Sequence, residues 1–152
     1  MTSEPYTLRP AVPADDAPLL AMHEACFRPL VEGRFAWVPE LQAERFAEGS
    51  RDGESWVVLV AGEVAGQLVV DDRGHELFVV RVMVHPRYQC RGIGGSLVSG
   101  VLERAAARGL PVTLSVWDTN RALQLYQRLG FELTGQVEFR VKMRWVSRRP
   151  SE

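Results

Sequence analysis

The change of pattern around Pro86 constrains this chain more than any other feature. Leu77-Phe78-Val79-Val80-Arg81-Val82-Met83-Val84 is β-rich and almost wholly apolar, and His85-Pro86 closes it. A glycine-rich turn follows, Gln89-Cys90-Arg91-Gly92-Ile93-Gly94-Gly95, and opens into a stripe at helical spacing. That stripe is Ile93, Leu97, Val98, Val101, Leu102 and Ala105, ending near Gly109, and a further strand is expected over residues 111–116. A strand, a helix and a strand in such close succession require the two strands to run parallel, or nearly so.

Upstream the pattern is antiparallel. Trp56-Val57-Val58-Leu59-Val60 is β-rich, Ala61-Gly62-Glu63 turns it into residues 64–70, and Asp71-Asp72-Arg73-Gly74 is a second hairpin signal leading to Leu77. A short opening strand is expected over residues 6–12. Pro13, Asp15 and Asp16 then start a helix carrying Leu19, Leu20, Met22, Cys26 and Phe27 as far as Pro29. Leu41, Arg45 and Phe46 indicate a second short helix ended by Gly49. Downstream, Ala122, Leu125, Tyr126 and Leu129 define a helix capped by Gly130, with strands over 131–134 and 139–145 and a frayed tail over 148–152. The order is β-α-α-β-β-β-α-β-α-β-β. It describes one α+β (mixed α/β) domain over 1–152, without repeats or linker.

Composition narrows the function classes. A formal net charge of −1 over 152 residues supplies no field for nucleic acid or an anionic membrane, and neither is expected as a partner. Cys26 and Cys90 form no CxxC pair, and His23, His75 and His85 lack ligand spacing, so no metal site is expected. The start Met1-Thr2-Ser3-Glu4-Pro5 lacks the pattern of a signal peptide, and no apolar run is long enough to span a bilayer. A cytoplasmic protein is expected. Lys142 is the sole lysine among many arginines, a bias that genome composition accounts for as readily as function.

The chemistry lies in the glycine-rich turn. A strand end, then glycines, then a helix start presents free backbone N–H groups to an anion, and glycine lets the backbone approach it closely. The dinucleotide fingerprint would need glycine at Leu97, and the nucleotide-triphosphate loop would need Gly-Lys-Ser/Thr where this chain has no lysine. The remaining pattern, Gln89-x-x-Gly92-x-Gly94, resembles the pyrophosphate loop of the GNAT superfamily of acyl-CoA N-acyltransferases. The Val82-x-Val84-x-Pro86 strand end and Tyr126-x-x-Leu129-Gly130-Phe131 match the same family, as do Leu8-Arg9-Pro10-Ala11 and the element order.

The resemblance implies a GNAT-like fold, a central mixed and mostly antiparallel sheet of about seven strands with helices on both faces. It implies acetyl-CoA as co-substrate. Val82, Met83 and Val84 would hold the pantetheine arm, and Gln89, Cys90, Arg91, Gly92, Ile93, Gly94, Gly95 and Ser96 the pyrophosphate. The two parallel strands would splay apart to admit the thioester, and Tyr126 would protonate the departing thiolate as general acid. The acceptor would be a small-molecule or peptide amine, and a homodimer is a family-level expectation. Holding amine and thioester in alignment can lower the barrier by roughly 7–11 kcal/mol, and a strand N–H near Val82 could serve the oxyanion.

Two positions depart from the family pattern. Where some members carry a glutamate base this chain has Ser115, so the base lies elsewhere. Glu76, which shares strand parity with Val82 and Val84, is the candidate, with His85, Asp118 or a water chain as alternatives. The usual asparagine position is Thr119, one residue before Asn120, so a contact of Asn120 with the pantetheine arm depends on a shortened loop. Arg81 either faces solvent or lies in the substrate cleft and pairs with a carboxylate, and Trp37 falls in the variable segment that lines the acceptor site in the family. Cys90 has no neighbouring base and reads as a bystander. The competing class is a non-catalytic acyl-CoA-binding regulatory module, favoured by Ser115 and opposed by Tyr126.

Overall fold

The computed structural model describes residues 4–148. The tail expected from Arg148 onward therefore lies outside the described residues, apart from Arg148 itself. Seven strands form one sheet: β1 (Thr7–Pro10), β2 (Glu54–Val60), β3 (Glu63–Asp72), β4 (Leu77–Val84), β5 (Val112–Trp117), β6 (Glu132–Val137) and β7 (Arg140–Trp145). Their spatial order is β1-β2-β3-β4-β5-β7-β6, antiparallel throughout except for β4 against β5. Among the described residues four α-helices complete the fold: α1 (Asp16–Val31), α2 (Pro39–Arg51), α3 (Ile93–Arg108) and α4 (Ala122–Arg128). None of the helices is long and apolar enough to cross a membrane.

The helices cover both faces of the sheet. The stripe Ile93, Leu97, Val98, Val101, Leu102 and Ala105 of α3 packs with Leu77, Val79, Val112 and Leu114 on one face. On the other, Leu19 and Met22 of α1 and Phe46 of α2 pack with Val57 and Met83. Every buried stripe has the period its element demands, which is why the element order was legible.

Two helix ends differ from expectation. Helix α1 continues through Pro29 to Val31. Helix α2 continues through Gly49 to Arg51. Gly49 is not a stop signal. A Cβ at that position would meet Arg81 Nη2 at 2.9 Å, so the glycine makes room for a guanidinium from β4.

The parting of β4 from β5 positions the site. The two strands pair in parallel at Leu77↔Val112, Phe78↔Thr113 and Val79↔Leu114, and no further. On the other edge of β4, Val69 pairs with Arg81 and Val70 with Val79, leaving Val80 as an extra residue. A bulge of this kind bends its strand and raises its twist. Past Val80 the β5-facing edge of β4 has no strand partner, while β5 continues to Trp117 alongside β7. A cleft opens between them.

Candidate functional site

Helix α3 begins beside this cleft with a bare N-terminus. Cys90 has φ 63° and Gly92 φ 82°, both left-handed, and the pair swings the chain from the β4 end into the helix. Glycine adopts this conformation freely at position 92, whereas Cys90 is strained there. Gly92 offers no side-chain cap and no acidic residue occupies the first turn. The N–H groups of that turn have no earlier carbonyl to bond and aim outward together. A Cβ on Gly94 would meet nothing within 4 Å, so the space above the turn is open to an anion.

The side chains around the turn hold it in shape. Gln89 Nε2 donates to the Val84 carbonyl at 2.9 Å, and Gln89 Oε1 accepts from Arg121 at 3.2 Å. Gln89 is thus committed to bracing the turn against β4, and only its backbone remains for a ligand. The Ser96 and Tyr6 hydroxyls lie 2.9 Å apart, and Ser96 N–H bonds the Gly92 carbonyl at 3.0 Å. Arg91 and Arg87 lie 5.5 and 5.6 Å from the Tyr88 ring centroid, and each also reaches a glutamate, Glu4 at 3.6 Å and Glu63 at 3.7 Å.

Across the splay lies a cavity of about 280 Å³, lined by Val79–Val82 of β4, Leu114–Trp117 of β5 and side chains of α1, α2, α4 and β7. Tyr126 of α4 reaches it. Its ring is buried edge-on to Phe131 at 5.7 Å, and its hydroxyl has no hydrogen-bond partner among the described residues. Burial pushes the phenol up to about 12, so it holds its proton at any physiological pH.

A family model described as Acetyltransferase (GNAT) family matches residues 18–131, which spans the splay, the turn and Tyr126. The chain belongs to the GNAT acetyltransferase family. It is 33% identical over 102 residues to Acetyltransferase SG1711 of Sodalis glossinidius (strain morsitans), covering 65% of this chain and 70% of that protein. The fold is similar to that of PaiA N-acetyltransferase from Thermoplasma acidophilum solved with coenzyme A. The TM-score is 0.74 at 13% identity, over 94% of this chain and 99% of the other. YncA from Salmonella typhimurium, solved with acetyl-CoA, gives 0.65 at 20% identity over 97% of each chain. As a GNAT acetyltransferase the chain is an acyl-CoA-dependent N-acyltransferase, and the sheet and element order expected from the resemblance are those found.

Within this GNAT fold some expected residues converge and others do not. Val82, Arg81, Trp37, Asn120 and Tyr126 all line the cavity. The Asn120 side-chain oxygen accepts from Ala122 N–H at 2.9 Å, which leaves its amide nitrogen as the free group. Thr119 is turned away, donating to the Leu30 carbonyl at 3.2 Å. Met83 directs its side chain into the α1–α2 core, so only its backbone is available to a ligand.

The structure does not bring the candidate base Glu76 to the cavity. The extra residue at Val80 reverses parity along β4, so a residue in step with Val82 before the bulge no longer shares its face. Glu76 precedes β4 at the end remote from the splay, where it accepts from Thr113 Oγ1 at 2.7 Å and Arg73 at 3.2 Å. The alternatives are committed too. His85 Nδ1 accepts from Arg87 N–H at 3.0 Å, and Asp118 is paired with Arg34. None of the three lines the cavity, and among the described residues lining it there is no carboxylate.

What lines it instead are His23, Gln42 and three arginines, Arg45, Arg81 and Arg140. His23 packs between Phe27, Phe46 and Trp37 at centroid distances of 4.9, 5.2 and 5.8 Å, and its Nδ1 is buried without a partner. Burial, and then the charge of Arg81, lower its pKa to about 4, so the imidazole is neutral. His23, Arg45 and Arg140 escaped the sequence reading. They sit on α1, α2 and β7, and only the strand register brings the third opposite Trp117.

Proposed function

We propose that this protein transfers an acetyl group from acetyl-CoA to a primary amine by direct attack within a ternary complex. The observation that carries the proposal is the parting of β4 and β5 after Val79, with a bare helix N-terminus on one side and the free Tyr126 hydroxyl on the other. The α3 turn suits a pyrophosphate, since its N–H groups converge where no side chain intrudes. The β5-facing edge of β4 around Val82 has no strand partner, and with the Val84 carbonyl already taken by Gln89 it is the groups around Val82 that can take an extended pantetheine arm as an added strand. A backbone N–H near Val82 is the oxyanion donor in this reading.

Proton traffic follows from the groups present. The leaving sulfur, with a conjugate acid near 8.5 if it resembles cysteine, accepts a hydrogen bond from the Tyr126 hydroxyl, which burial keeps protonated. Because a phenol raised to about 12 is the weaker acid, transfer of its proton is completed only as Tyr126 is reprotonated by water. Loss of the proton from the amine needs no carboxylate. Three guanidiniums around the cavity disfavour an ammonium there and lower its pKa, so the neutral nucleophile forms more readily and its proton leaves to water.

The test separates an enzyme from a binding module. Acetyl-CoA should bind wild type and Tyr126→Phe alike by calorimetry. Thiol release with an amine panel should fall roughly 100-fold or more in kcat for Tyr126→Phe, the usual range for a lost general acid. Equal turnover in the two proteins would remove Tyr126 from the mechanism. Tight coenzyme binding with no turnover on any amine would favour the regulatory module.

A further inference from the structure

The three arginines of the cavity are an unusual set. Arg81 is half-buried, yet it bonds only neutral groups: Ser50 Oγ at 3.0 Å, Gln67 Oε1 at 3.1 Å and the Phe46 carbonyl at 3.4 Å, with its guanidinium 4.2 Å from the Phe46 ring centroid. Arg140 lies over the Trp117 ring at 5.1 Å, and neither it nor Arg45 has a carboxylate partner among the described residues. Arg140 is pulled below the usual arginine range by the protein around it and then by Arg45, so the two cations face one another uncompensated. The contrast lies nearby. Arg9, Arg28, Arg34, Arg73, Arg104 and Arg108 each hold an acidic partner.

Arg81 is largely withdrawn from water without a carboxylate, while Arg45 and Arg140 stand exposed and unpaired at the mouth of the same cavity. Holding like charges together in this way costs folding free energy, and such a cost is expected at functional sites. The charge has no use for the thioester, which is neutral. The phosphates of the donor are provided for at the α3 turn, across the splay. The Arg81 fork is already engaged, so it contributes field, while Arg45 and Arg140 keep their donors free for a planar anion.

Building on the transferase reading above, we infer that the acceptor amine carries a carboxylate, gripped by Arg140 and Arg45 with Arg81 behind them. The substrate class is amino acids or molecules with an amine and a free acid a few bonds apart. Trp37 and the aromatic wall around His23 would take the apolar part of such a molecule. The acid–guanidinium contact fixes one end of the acceptor so that the amine faces the splay beside Tyr126. The bond made is N–C to the acetyl carbon, the bond broken is C–S; the amine proton leaves to water, the thiolate gains one from Tyr126, and water returns a proton to Tyr126.

The experiment compares α-, β- and γ-amino acids with their own carboxamides at saturating acetyl-CoA, in wild type, Arg140→Gln and Arg45→Gln. At least one acid should exceed its carboxamide tenfold or more in kcat/KM. That ratio should collapse towards one in the variants through KM, by roughly 10- to 100-fold for a lost charge-assisted pair. Arg140→Glu should reverse the preference towards diamines. Carboxamides used as well as acids, or an acid preference untouched in both variants, would overturn the proposal. So would an arginine-dependent preference for succinyl-CoA over acetyl-CoA with a neutral amine, since the anion would then belong to the acyl group. A binding arm separates this inference from the transferase reading. N-acetyl amino acids and N-acetyl carboxamides are titrated calorimetrically into the coenzyme A complex, which needs no turnover. Binding of the acids lost in Arg140→Gln keeps the anion site even if no amine is acetylated. Equal binding of acids and carboxamides removes it even if amines are.

Discussion

The two sides of the cleft are built from different material. Toward α3 the surface is backbone: a left-handed Cys90 and Gly92, the N–H groups of a helix start, and the unpaired edge of β4. Side chains there, such as Gln89 on the Val84 carbonyl, brace the backbone from behind. Toward α1 and α2 the surface is side chain: His23, Trp37, Arg45, Arg81 and Arg140, from five different elements or loops. A backbone site offers the same groups whatever the neighbours, which suits a donor shared by a whole family. A side-chain site is set residue by residue, and it is where one member can differ from another in the amine it accepts.

The largest expected effect falls on the backbone side. Gly94→Asp places its Cβ in open space, so the helix should fold, yet it sets a negative charge in front of the N–H groups proposed to receive phosphate. Acetyl-CoA affinity should fall on the order of 100-fold, about 3 kcal/mol by calorimetry. Gly94→Ala at the same position adds no charge and should lose several-fold at most. Were the aspartate variant to bind like wild type, the α3 turn would not be the phosphate site, and the division of the cleft would fail with it.

The same division explains what could be read from the chain. Glycines at fixed spacing after a strand are a local signature, because left-handed φ and close approach are properties of single residues. The turn from Gln89 to Gly95 and the partner signature at Tyr126 were therefore visible without coordinates. The acceptor side was not. Arg140 reaches the cavity only because β7 inserts between β5 and β6 in a register that sets it against Trp117. Strand parity relates Glu76 to Val82 only if β4 is regular, and the extra residue at Val80 breaks that parity. The arginine bias was visible but uninformative until three of those arginines proved to share one cavity without an acid. Gly49 has the sequence signature of a helix stop, yet α2 runs past it, and the reason for a glycine there lies on another element, at Arg81.

Gly49 offers the next test. Within α2, Gly49→Ala should favour the helix by about 1 kcal/mol and raise the melting temperature. The new methyl would meet Arg81 Nη2 at 2.9 Å, and the flexible guanidinium must move to accommodate it. The expected outcome is a more stable protein whose KM for its acceptor rises several-fold, with acetyl-CoA affinity unchanged. A variant gaining stability at no cost to KM would show that the position of Arg81 is immaterial to the acceptor. A variant losing coenzyme affinity as well would show that the two sides of the cleft are not separable.

The smallest effect concerns His23 and its pH dependence. Its folded pKa of about 4 lies below the 6.5 of the free imidazole, first because of burial and then because of Arg81. A lowered histidine pKa means that the unfolded chain takes up a proton which the folded protein refuses. Its contribution to stability is thus full above about pH 6.5 and is lost as the pH falls towards 4. For a partly exposed group the effect should be on the order of 1 kcal/mol after screening. It is read as the difference in urea midpoint between wild type and His23→Phe across that window, which cancels the carboxylates titrating lower down. A bound carboxylate beside Arg81 would offset part of the field that keeps His23 neutral, so an N-acetyl amino acid should shrink this acid-side loss where its carboxamide does not. Identical acid profiles for wild type and His23→Phe would mean that His23 is not withdrawn from water as its packing against Phe27 and Phe46 implies, and an acid-side loss that the N-acetyl amino acid and its carboxamide shrink equally would mean that the bound anion does not sit beside Arg81.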